Sequence, residues 1–163
     1  MKKTVRIIAI CILCFFVDNV FTIFLPLKSF LPSFLLVFVL SVSIIKGNWD
    51  ALWLGVFSGI LQDLFFYKVF GINSLLNMLL CVLAALIGKN IYKEKKVVPV
   101  LSCFVLTAIK GLGIFVILYC LGQKVDIMLS LYTGISNMVV CFIFYRSIYR
   151  LCEKQFSRRE WKF

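Results

Sequence analysis

Six apolar runs divide this chain, and its charged residues collect in the gaps between them. A membrane-crossing helix needs about 20 predominantly apolar residues. On that measure the pattern predicts spans at residues 5–25, 32–45, 49–66, 72–88, 97–121 and 127–145. Pro26 stops the first, and the second, which is short, is completed by flanking residues or by local thinning of the bilayer. The expected fold is all-α and integral to the membrane, with six helices in one bundle and no room in the short connections for an extramembrane domain.

The polar residues within the runs are few, so their spacing is informative. The stretch from residue 49 to 77 is read as the organising one. Gly55, Gly59 and Asp63 are spaced four apart and share one helical face, with Gln62 beside the acid. A tight turn around Lys68 and Gly71 follows, and the next run opens with Asn73 and Asn77, again four apart. Asp18 in the first run, Lys110 near the middle of the fifth and Asn137 in the sixth complete the set of candidate cavity residues.

Two readings compete for these groups. Small residues and amides in membrane helices serve as interhelical glue, worth about 0.6–2 kcal/mol per polar contact. Alternatively Asp18, Asp63, Asn73, Asn77 and Lys110 line a groove or cavity. An unpaired charge at mid-membrane costs at least about 2.5–3.5 kcal/mol, so Lys110 needs a partner. Asp63 and Asp18 are the available acids; failing them, the lysine snorkels inward.

Composition makes lipid the solvent. The 163 residues are 63% hydrophobic, against about 45–50% for a soluble domain, and mean hydropathy is +1.04. The net charge of +11 is not a nucleic-acid signal, because the cations sit at the ends and in one loop. With Lys2, Lys3, Arg6, Lys46, Lys89, Lys93, Lys95, Lys96 and the basic stretch 146–163 on one side, only Lys28, Lys68 and Lys124 fall on the other. That asymmetry places both termini in the cytoplasm. The first run has no small-residue cleavage site, so it reads as a retained span rather than a signal peptide. The basic stretch reads equally as a topology anchor or as a contact with the anionic leaflet.

Catalysis finds no footing. The chain has no histidine, no metal-binding or phosphate-cradling motif, and its acids are scattered. The seven cysteines lie mostly inside apolar runs, where they serve as small packing residues, and no cofactor is expected.

Pro32 before an apolar run, then Gly47, Gly55, Gly59, Gln62-Asp63, a short turn and Gly71-Ile72-Asn73-Ser74-Leu75 together resemble the rod shape-determining MreD family. The likeness is clearest from residue 32 to 88. Ser33 departs from it, standing where an acidic or amide residue is expected. The resemblance implies a non-catalytic bacterial plasma-membrane protein of the lateral wall-elongation machinery. It would work beside MreC, the actin-like MreB and the transpeptidase and glycosyltransferase of that complex. It also implies an architecture similar to the membrane subunits of energy-coupling-factor transporters. Carried over by motif position, the residues at stake are Gly55, Gly59, Gln62, Asp63, Gly71 and Asn73.

The function expected is therefore a membrane scaffold that binds MreC and supports peptidoglycan synthesis and cell shape. A polar outer groove would receive the partner, with Asp63 fixing its register and Asn77 alongside. The alternative is a solute-binding subunit of an energy-coupling-factor transporter.

Overall fold

The run with no polar face becomes the centre of the molecule. The computed structural model describes residues 2–24, 32–65, 71–89, 97–122 and 127–156. They form six helices: α1 (Lys2–Phe24), α2 (Phe34–Lys46), α3 (Asn48–Phe65), α4 (Ile72–Lys89), α5 (Val97–Cys120) and α6 (Ile127–Phe156). A helix that is apolar all round belongs inside a bundle. Every residue of α2 from Leu35 to Ile45 is buried, and each of the other five helices packs against it. The organising element is thus α2, not the 49–77 stretch, which wraps it from one side.

That stretch forms the tightest pair, α3 against α4. A Cβ at Gly55 would lie 2.7 Å from the Cα of Met78, and one at Gly59 would overlap the backbone of Ser74. The two glycines do provide flat places for a neighbouring helix, and the neighbour is α4 of the same chain. Gly88 plays the matching part between α4 and α2, where a Cβ would collide with the Ile44 carbonyl.

Among the described residues, three helices are long and apolar enough to cross a membrane, with windows at Val5–Thr22, Ile72–Lys89 and Val97–Cys120. α2 is apolar but has only 13 residues, about 20 Å of helix. In α3, Asn48, Asp50, Gln62 and Asp63 dilute the hydropathy.

α6 continues to Phe156 although its apolar run ends near residue 145. Tyr145, Ile148 and Cys152 stay buried on one side of this extension while Arg146 and Arg150 face outward. Hydropathy stops there, but amphipathic periodicity does not. The cations Arg6, Lys46, Lys89, Arg146 and Arg150 all lie toward one end of the bundle, where Trp49 and Trp53 are also exposed. The stop at Pro26, the turn at Lys68, the cations Lys28, Lys93, Lys95, Lys96 and Lys124, and residues 157–163 lie outside the described residues.

Candidate functional site

About 20 Å from the Lys46 end of α2, the polar residues of all six helices meet in one layer. It is built around two helix starts. The first backbone N–H groups of a helix have no intrahelical acceptor and need one from elsewhere.

α4 begins at Gly71, whose φ of 100° lies in the left-handed region that glycine tolerates. A glycine has no side chain with which to cap the helix. Asp63, from the end of α3, supplies the acceptors instead. One carboxylate oxygen accepts from Gly71 N at 3.1 Å and Ser74 N at 2.9 Å. The other accepts from Asn73 N and Asn73 Nδ2, both at 3.1 Å. Both oxygens are fully engaged and the residue is only 4% exposed. Within the bundle this acid is the cap of its own hairpin, because the start of α4 presents three unsatisfied N–H groups to it.

α2 begins at Ser33, the position that departs from the family pattern. Its extended backbone and its side chain, which accepts from Leu36 N at 3.4 Å, make it the N-cap. Serine is among the residues that fill this role, as are the acids and amides expected there. Asp18 of α1 reinforces the cap. It accepts from Phe34 N at 2.7 Å, and from Leu35 N and Ser33 Oγ at 3.1 Å each. Asn137 of α6 takes the remaining donor, Ser33 N, at 2.8 Å. Phe34 packs against Phe21 and Phe144, with ring centroids 5.6 and 6.3 Å away, bringing apolar rings from α1 and α6 beside the cap.

Gln62 joins the two starts. Its Oε1 accepts from Lys110 Nζ at 2.8 Å and from Asn77 Nδ2 at 2.9 Å, while its Nε2 donates to Ser33 Oγ at 3.4 Å. The amide orientation follows from Lys110, which can only donate. Asn77 Nδ2 also donates to Ser58 Oγ at 3.3 Å, and Asn137 Nδ2 donates to Thr107 Oγ1 at 3.4 Å. Of the outcomes left open for Lys110, an ion pair with Asp63 or Asp18 is not the one found. The ion pair found among the described residues is Lys46 with Asp50, at 4.0 Å. An amide oxygen reaches the lysine because Gln62 lies between the acids, each of which is held by a helix start.

The structure therefore gathers Asp18, Gln62, Asp63, Asn73, Asn77, Lys110 and Asn137 into one network, with Gly71 at its edge and Gly55 and Gly59 behind it in the α3–α4 contact. Sequence reasoning missed Ser33 as the hub and Ser58 as a member. The signal for Ser33 was present: a serine immediately before an apolar run marks a helix start. The members of the layer mostly hold one another; the exception is Asn77, whose Nδ2 donates twice while its buried Oδ1 has no hydrogen-bond partner.

The model of the family described as rod shape-determining protein MreD matches residues 1–155. The chain belongs to the MreD family. It is thus a membrane protein of a family that determines rod shape in cells. No curated protein and no solved structure matches the chain. For an MreD-family chain, the stretch in which the resemblance was clearest is the α3–α4 hairpin and the α2 start, which is the part that builds the polar layer.

Proposed function

We propose that this protein is a non-catalytic scaffold of the bacterial elongation complex, crossing the inner membrane six times and binding MreC directly. MreB and the elongation transpeptidase and glycosyltransferase belong to the same assembly, and lateral peptidoglycan synthesis is the process served. The end of the bundle that carries Arg6, Lys46, Lys89, Arg146 and Arg150 faces the cytoplasm. Trp49 and Trp53, 80% and 70% exposed, sit at the headgroup level on that side.

One observation carries the reading: the polar side chains of the layer bond mostly to one another, with Asn77 Oδ1 left over, and the large side chains that the helices turn outward are apolar. A protein of that kind meets a partner by helix-to-helix contact in lipid. The role of Gly55, Gly59, Gln62, Asp63, Gly71, Asn73 and Asn77 in binding is then indirect. They fix the shape of the α3–α4 hairpin, and the hairpin's outer face does the touching. The energy-coupling-factor alternative gains no support, since the family that the chain matches is one of rod-shape determination.

The test is photo-crosslinking in native membranes. A crosslinking residue replaces Leu13, Leu64, Leu83, Val116 or Ile143, all exposed, with buried Leu40 as control. Crosslinks to MreC from at least one exposed position are expected. A complete set of positions silent toward MreC would overturn direct binding.

A further inference from the structure

Lys110 poses a question of charge. It is only 8% exposed, and its Nζ bonds a neutral amide oxygen, with no acid among the described residues within ion-pair distance. A buried cation without compensation is not tolerated in a lipid-embedded bundle. Compensation exists at longer range: Gln62, which accepts from Lys110, adjoins Asp63 in sequence and donates to Ser33 Oγ, the group that donates to Asp18. Each of those carboxylates in turn faces the start of a helix, α4 and α2 respectively. A helix start carries roughly half a positive charge. The two starts offset the two carboxylates only in part, and the end of α3 beside Asp63 adds to the negative side; Lys110 supplies positive charge against that excess.

We infer that Lys110 is the shared counter-ion of the two capped helix starts, and that it latches α5 to α2 and α4 by charge balance rather than by an ion-pair contact. Gln62 is the spacer that makes this possible. Its amide presents oxygen to Lys110 and its NH₂ to Ser33 Oγ, which itself donates to Asp18. The amide dipole is therefore aligned between the cation and the acid, and the bonds along this chain reinforce one another. On the other side, the residue adjacent in sequence, Asp63, holds α4. The dipeptide Gln62-Asp63 thus separates the lysine from both acids while keeping all three in one layer. The inference concerns the folding of the bundle alone and does not depend on which partner the protein binds.

The test is a set of double-mutant cycles on the detergent-purified full chain, read by thermal denaturation. Lys110→Met is expected to lower Tm by about 10 °C. Lys110→Gln, which can hydrogen-bond but carries no charge, should fall by a similar amount. Adding Asp18→Asn or Asp63→Asn to Lys110→Met should cost far less than the same change made alone, because each removes a negative charge that has lost its counter-ion. If Lys110→Met fails to accumulate in the membrane, the double variants should recover accumulation. A Lys110→Gln protein as stable as wild type would overturn the inference, leaving the lysine as a hydrogen-bond donor only. So would losses that simply add across the cycles, or double variants that remain absent from the membrane.

Discussion

The starts of α4 and α2 solve the same problem with different reach. α4 is capped by Asp63, eight residues before Gly71 and held close to it by the hairpin. α2 is capped by its own Ser33, by Asp18 on α1, 15 residues away, and by Asn137 on α6, 104 residues away. The first cap is a property of a hairpin. The second forms only once three separate helices are in place. A local cap depends on one acid, so it is strong and fragile together, whereas a distributed cap shares the load and binds distant parts of the chain into one body. In lipid, where an unsatisfied backbone group has no water to fall back on, both arrangements are close to obligatory.

Four substitutions would break or sharpen that contrast, each read by thermal stability of the purified protein in detergent. Gly59→Leu should act most severely. A side chain there meets the α4 backbone at Ser74, which cannot yield without opening the hairpin, and a loss of more than about 3 kcal/mol is expected, seen as failure to accumulate. Asp63→Ala comes next. It strips the acceptors from Gly71, Asn73 and Ser74 at once, and about 3 kcal/mol should go. MreC co-purification should then fall in step with stability; binding lost from a bundle of unchanged stability would instead return the carboxylate to the interface. Asp18→Ala should cost about 2 kcal/mol, less than Asp63→Ala, because Ser33 and Asn137 still serve α2. The reverse order would show the distributed cap to be the more critical. Ser33→Ala should be mildest, at about 1 kcal/mol.

The same contrast explains what could be read in the chain. The α3–α4 hairpin was legible because its parts are neighbours: glycines at helical spacing, an acid at the end of one run, Gly-x-Asn at the start of the next. The glue reading of Gly55 and Gly59 matches their contacts. The Asp18 cap was not legible, since nothing in the spacing says that an acid at position 18 faces residues 33 to 35. Nor was the partner of Lys110. Charge arithmetic proposes acids, but an amide adjacent to one of them, Gln62, reaches the lysine first. The central place of α2 could have been inferred from its lack of any polar face. Its 13 residues, short for a span, point by length alone to the periphery instead.

The extension of α6 past the apolar run carries one more consequence. Arg146 and Arg150 are a helical turn apart on an element whose opposite side, at Tyr145, Ile148 and Cys152, is anchored to the bundle. Their guanidinium groups are therefore mounted at a set pitch and bearing, like teeth on a rack. An anionic surface brought to that end of the bundle meets them on an anchored helix rather than on a loose tether, and turning or tilting the bundle would carry both with it.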